Sequence, residues 1–215
     1  TRYGISEDKV QVIYNWGHEE LKAHSEKDNA FLKKYPKKPG EFRVVYAGNL
    51  GKMQNVELIL ETATLMQDDA GVSFYIVGGG VNEEQLKTFA KEKELNNVTF
   101  VGMQPPEEVA DLYAAADVNV IPLQKGLIYA ALPSKTADCL IAGKPIITCV
   151  DDESEFAKRC YDNGIFNAGT GSAIRLKDLI TRRKIEETGA ESYGFDDAFK
   201  KEKNVNQYCV LLEAQ

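Results

Sequence analysis

Five times along this chain a short run of β-branched and aromatic residues ends in Gly, Pro or polar residues, and a stretch of helical spacing follows. The runs lie at residues 42–47, 73–77, 97–101, 117–121 and 145–150. They start roughly 20 to 30 residues apart, the spacing of βα units in a parallel sheet covered by helices on both faces. The run Phe74-Tyr75-Ile76-Val77 has no polar alternation, as a strand buried on both faces requires. The fold class that follows is α/β: an open parallel sheet flanked by helices, Rossmann-like.

The intervening helices are legible too. Val56, Ile59, Leu60 and Ala63 fall on one helical face. Asn82 is expected to cap a helix carrying Leu86, Phe89 and Ala90, with Gln85 at the capping-box position. Pro106 suits the first turn of a helix bearing Val109, Leu112, Tyr113 and Ala116. Ser134 is expected to cap residues 135–142 and Gly143 to end that helix. Residues 153–163 read as the next helix, with Gly164 after it. Outside this core, residues 9–14 read as an isolated strand, followed by a Lys-rich polar stretch at 18–40. Polar helix and loop fill residues 167–196, and residues 200–214 read as a terminal helix bearing Val205, Tyr208, Cys209 and Leu212.

Composition excludes some function classes. With 43% hydrophobic and 27% charged residues the chain is of ordinary globular type. A formal charge of −7 argues against a broad nucleic-acid footprint. The four cysteines, at 139, 149, 160 and 209, lack Cys-x-x-Cys spacing, and His18 and His24 lie far from them in sequence. No metal site is therefore expected. Three of the cysteines read as small core residues, and the compartment as reducing and cytoplasmic. No apolar run approaches the roughly 18 residues of a membrane span. The polar start without Met carries no signal-peptide pattern, and the chain is expected to be a fragment.

Ligands of open α/β sheets bind outside the carboxyl ends of the strands, so the strand-to-helix turns are the places to look. After the first run stands Gly48-Asn49-Leu50-Gly51-Lys52, where two glycines permit close approach of a phosphate and Lys52 adds charge; a tight turn with a surface lysine is the plain alternative. After the second stands Gly78-Gly79-Gly80, which lacks the third glycine of a dinucleotide fingerprint and reads either as a flexible turn or as backbone that something approaches closely. After the fourth stands Leu132-Pro133-Ser134-Lys135-Thr136-Ala137-Asp138. Lys135 and Asp138 share a helix face there, one suited to a diphosphate and the other to ribose hydroxyls; an ordinary surface ion pair is the alternative. The acidic run Asp151-Asp152-Glu153-Ser154-Glu155 opens a helix, or faces a sugar. A Gly-x-Ser-x-Gly elbow, a Walker A loop and a His-Glu-x-x-His motif are absent from the sequence.

The succession Gly-Asn-Leu-Gly, Val-Gly-Gly-Gly, Val-Thr-Phe-Val-Gly, Leu-Tyr-Ala-Ala-Ala-Asp-Val, Leu-Pro-Ser-Lys and Ala-Gly-Lys-Pro-Ile-Ile, over residues 42–164, resembles the carboxy-terminal domain of retaining family 4 glycosyltransferases of the GT-B fold. It is most similar to the Leu-Pro-Ser-Lys subgroup that builds O-antigen and capsular polysaccharide. The resemblance implies a nucleotide diphosphate sugar as substrate, with UDP-sugar favoured and no separate cofactor. It also implies transfer with retention to a glycan or lipid-linked acceptor held by an amino-terminal domain that this chain lacks. Gly48, Asn49, Gly51, Lys52, Gly78, Gly79 and Ser134 would border the nucleotide, and Asp138 would hold the ribose. Lys135 and Glu153 would act at the reacting phosphate and sugar, with Ser154 and Glu155 beside them. Two positions depart from the family pattern: Ala130 stands where the first Glu of Glu-x7-Glu belongs, and Asn49 and Gln54 stand where basic residues are usual.

The resemblance further implies three segments. Residues 1–40 would be a remnant of the amino-terminal domain edge and linker, 41–199 the nucleotide-sugar domain, and 200–215 a helix returning to the missing half. Such a fragment is expected to bind nucleotide without transferring sugar. A membrane-surface acceptor, at the inner face, would be reached through the missing half. The rivals are a GT-B-type nucleotide-sugar epimerase, which would need an acid–base pair in the cleft, and a non-catalytic α/β binding module marked by phosphoacceptor aspartates at strand ends.

Overall fold

The computed structural model describes residues 4–18, 23–186 and 196–213. Five strands form where the five runs lie: β1 Phe42–Ala47, β2 Val72–Val77, β3 Val98–Val101, β4 Val118–Pro122 and β5 Ile146–Cys149. A two-residue strand, β6 Phe166–Asn167, completes a parallel sheet in the order β3-β2-β1-β4-β5-β6. The chain winds outward from β1 to β3 and then returns to pair β4 with the other side of β1, Val44 against Val118. The order therefore reverses between β1 and β4, the switch point at which such sheets open a crevice.

Alternation along the strands divides the core into two layers. Val45, Ala47, Tyr75 and Val77 face one layer, built with α1 Ala30–Lys34, α4 Val109–Ala114, α5 Lys135–Ile141 and α6 Glu155–Asp162. Val44, Tyr46, Phe74 and Ile76 face the other, built with α2 Val56–Leu65, α3 Glu83–Glu92 and α7 Ala173–Glu186. Cys139, Cys149 and Cys160 are buried among these side chains. Burial pushes the Cys160 thiol up to about 12, so it stays protonated and inert.

Several local expectations need correction. Residues 10–18 form no strand; a single 3-10 turn, Glu7–Lys9, precedes them. Part of the 18–40 stretch packs into the core instead of standing outside it, with Phe31 fully buried and Asn29 capping α1; residues 19–22 lie outside the described residues. Tyr35, at the end of α1, lies against Tyr75 of β2, and its carbonyl accepts from Arg43. Arg43 is buried inside β1, bonded to Glu41 and stacked on Tyr75 at 4.2 Å. The Asn82 side chain does not cap α3 but donates to Glu57, and the Ser134 side chain makes no cap bond to α5.

The 167–196 stretch contains the 14-residue α7, which packs on α2 through buried Leu176 and Ile180; residues 187–195 lie outside the described residues. The terminal helix is α8, Lys201–Glu213, and Ala214 is likewise not described. Asn204 of α8 donates to the Tyr14 carbonyl, and Tyr14 and Phe199 rings meet at 5.1 Å, which ties the two ends of the chain together. Among the described residues no helix is long and apolar enough to cross a membrane.

Candidate functional site

Three turns converge at the switch point. The Gly48–Leu50 loop continues the sheet as backbone: Gly48 N–H donates to Val77 O and Leu50 N–H to Gly79 O, each at 2.9 Å. These two amides are thus turned to the triple-glycine turn and not to a ligand. The triple-glycine turn in turn lies against the first loop. Gly78 has φ +135, and Gly80 would bring a Cβ to 2.4 Å from Asn49 Oδ1. What passes close to these glycines is the neighbouring loop. Asn49 and Lys52 remain exposed, Gly51 is buried, and a 3-10 turn, Lys52–Gln54, separates the loop from α2.

Lys135 reaches this loop from α5. The residue is half-buried, yet its Nζ is shielded from solvent, sits 4.1 Å from the Tyr46 ring centroid and has no hydrogen-bond partner among the described residues. A Cβ on Gly48 would lie 2.5 Å from that Nζ, so the glycine leaves the seat the ammonium occupies. Burial lowers the Lys135 pKa to about 8, so it stays mostly charged at neutral pH. A desolvated cation without a carboxylate partner is costly to keep, and such groups cluster at functional sites.

A cavity of about 410 Å³ opens beside this corner, lined by Gly48, Asn49, Gly78, Gly79, Gln104 and Tyr113 among others. A second, of about 270 Å³, shares Val109 and Tyr113 with it and is lined by His18, Asp138 and Ile141. Asp138 Oδ1 accepts from His18 N–H at 3.0 Å and faces His18 Nδ1 at 3.1 Å. Gly17 permits the contact, because a Cβ there would meet the Ile141 side chain at 2.6 Å. The sequence places no histidine near the cleft; the folded chain brings His18 into it.

The remaining expected residues scatter. Ser134 is exposed at the start of α5, and Ala130, itself exposed, closes a 3-10 turn, Leu127–Tyr129, in which Ile128 is buried. Ser154 is buried and committed: it accepts from Ala157 N–H to cap α6 and donates to Asp151 O. Glu155 is exposed and pairs with Lys158. Glu153 lines a separate opening of about 450 Å³ with Lys125, Gly126, Asp151, Asp152 and Thr170. Asp152 there is clamped by Arg175, whose bonds to it hold its carboxyl below the usual range. The loops are braced from below: Asn55 Nδ2 donates to Thr170 O and Leu123 O, and Gln124 N–H to Met53 O.

The glycine loop and the Lys135 ammonium thus meet at the switch-point crevice. Comparison with known proteins decides the family: the model for "Glycosyl transferases group 1" matches residues 27–182. The chain belongs to that family. WbjE of Pseudomonas aeruginosa, named as a glycosyltransferase, is 26% identical over 200 residues, covering 93% of this chain and 49% of its own. WcaI of Escherichia coli K12, named for colanic acid biosynthesis, is 25% identical over 159 residues, 73% of this chain and 39% of its own. This group 1 chain thus spans about half the length, or less, of these two relatives. HepE of Anabaena, solved in complex with UDP-glucose, superposes with a TM-score of 0.75 at 19% identity, over 100% of this chain and 60% of HepE; at that identity the likeness shows the fold.

Proposed function

We propose that this group 1 chain is the donor-binding half of a retaining, family 4-type glycosyltransferase that takes a UDP-sugar. The observation that carries the reading is the buried Lys135 ammonium, unneutralised, against Gly48 at the switch point. The donor's diphosphate would meet Lys135, Gly48 and Asn49, with Lys52 and Ser134 at its exposed edge. The nucleoside would extend into the cavities that Gln104, Tyr113 and Asp138 line. In the reaction, Lys135 would offset negative charge on the departing phosphate, an electrostatic contribution that strengthens in a water-poor site. Glu153, from its own opening, would contact the sugar. The acceptor, a glycan or lipid-linked glycan of a surface polysaccharide, would be held by a further domain.

HepE was solved with UDP-glucose and WcaI is named for colanic acid biosynthesis, which supports this choice of donor and pathway class. Titration calorimetry with UDP-, GDP- and ADP-sugars tests it, repeated on Lys135→Ala and Asp138→Ala. Selective binding of UDP-sugars, lost or weakened in both variants, is expected. Unchanged affinity in both would move the site elsewhere.

The His18–Asp138 pair favours a second reading, a nucleotide-sugar epimerase. Solvent deuterium entering a UDP-N-acetylhexosamine without an acceptor would support it; no incorporation would remove it.

A further inference from the structure

Two cations in this protein lie over tyrosine rings at nearly the same distance, and their surroundings differ. Arg43, 4.2 Å above Tyr75, is also bonded to the Glu41 carboxylate and the Tyr35 carbonyl. Its charge is neutralised and its donors are used, so it holds structure together. Lys135, 4.1 Å from Tyr46, has the ring and, among the described residues, no hydrogen-bond partner. From this contrast we infer that Tyr46 is a positioning residue for donor binding: its ring holds the Lys135 ammonium at the Gly48 corner, and its hydroxyl fixes the loop beside it.

The geometry supports both halves. Tyr46 is 1% exposed, one residue before the end of β1. Its hydroxyl donates to the Asn49 carbonyl at 2.6 Å, which sets the loop that carries Gly48 and Asn49. The same hydroxyl would lie 3.4 Å from a Gly48 Cβ, so ring, loop and ammonium meet where Gly48 lacks a side chain. Burial, with the Glu57 charge adding to it, pushes the phenol far above its ordinary value. Tyr46 therefore remains a neutral donor and cannot serve as a counterion.

That neutrality is what the site needs. A carboxylate at this position would neutralise Lys135 and repel a diphosphate. A π face holds the ammonium without neutralising it, so an arriving phosphate need not displace an ion pair. The inference rests on reading this corner as the diphosphate site, and the test separates the two.

The test compares Tyr46→Phe, which keeps the ring, with Tyr46→Leu, which removes it. The first readout needs no ligand: the pH titration of the Lys135 ε-methylene by NMR. In Tyr46→Leu the midpoint is expected to rise toward the ordinary lysine value, because the released ammonium moves to water. In Tyr46→Phe it is expected to stay where the wild type has it. The second readout is UDP affinity by calorimetry at neutral pH, expected to weaken about tenfold in Tyr46→Leu and about twofold in Tyr46→Phe. A Lys135 titration in Tyr46→Leu that matches the wild type, or falls below it as for an ammonium left in place, overturns the inference, whatever UDP does. Lys135→Met with undiminished UDP binding overturns the diphosphate reading instead, and leaves the titration to decide the role of Tyr46.

Discussion

Gly78 lies directly beneath Gly48: a Cβ on Gly78 would stand 1.9 Å from the Gly48 carbonyl oxygen. The contact is backbone against Cβ, so no side-chain rotation relieves it. Gly78 also holds φ +135, where a side chain is strained by roughly 1–3 kcal/mol. Gly78→Ala is therefore expected to lose about 2–4 kcal/mol by urea unfolding, strain and overlap together. Gly79→Ala is the control. Its Cβ would meet only the Glu83 side chain, at 3.4 Å, and its loss should stay below about 1 kcal/mol. Equal losses at the two positions would contradict the packing of the two loops.

Lys135 gives donor binding a direction in pH. With its pKa lowered to about 8, the free protein carries the ammonium below that value and loses it above. A bound diphosphate favours the charged form, so the Lys135 pKa rises on binding. UDP affinity is expected to be set by other groups below pH 8 and to fall, by up to about tenfold per pH unit, above it. Calorimetry from pH 7 to 10 on the wild type and Lys135→Met checks this. The variant should bind weakly and lack the alkaline fall.

The same lysine is expected to weaken the fold. Its folded pKa lies below the ordinary value of 10.5, so folding disfavours the charged form. The penalty is fully present below pH 8, and stability is regained as pH rises from about 8 to 10.5. Lys135→Met, which fills the same space without charge, is expected to stabilise the chain at pH 7 by on the order of 1–3 kcal/mol while losing UDP. Thermal unfolding at pH 7 and pH 10 measures it, and the gain should shrink at the higher pH.

The pattern that made the fold legible also hid part of the site. Short β-branched and aromatic runs that end in Gly, Pro or polar residues located β1 to β5 to within a residue at each end, because their residue types and punctuation recur at the βα period. β6 escaped, since two residues carry no period. Lys135 and Gly48 could be singled out because a lysine after an apolar, proline-led turn and a glycine at a strand end are locally unusual. Tyr46 could not: inside the run 42–47 an aromatic reads as core, and only its distance to a helix 89 positions later gives it a second meaning. Asp138 and His18 are 120 residues apart, so their contact is a product of topology. Arg43 was silent for the opposite reason. A charge within a strand gives no sign of being fully buried until Glu41, Tyr35 and Tyr75 are seen around it.

Asp111 links the early segment of the chain to the cavity wall, and its loss should be felt in both. Its side chain is 2% exposed at the start of α4. One oxygen accepts from His24 N–H and the other from Ala30 N–H, both at 2.7 Å. Burial by itself would raise the carboxyl pKa, but these two N–H groups, with the His24 ring, outweigh it and the net shift is downward. A depressed carboxylate stabilises the fold above its unfolded pKa, and that contribution is lost as pH falls through the folded value. Asp111→Ala removes the acceptor of two part-buried amides and is expected to cost about 1–2 kcal/mol at pH 7. Asp111→Asn, which keeps one acceptor, should cost less. Because α4 also carries Val109, Leu112 and Tyr113 of the 410 Å³ cavity, the alanine variant should bind UDP more weakly than its global stability alone predicts. Urea unfolding from pH 7 downward separates the effects: the gap between wild type and Asp111→Asn is expected to narrow in acid, as the pH falls toward the lowered carboxyl pKa. A gap that stays constant with pH would mean that Asp111 acts by shape and not by charge.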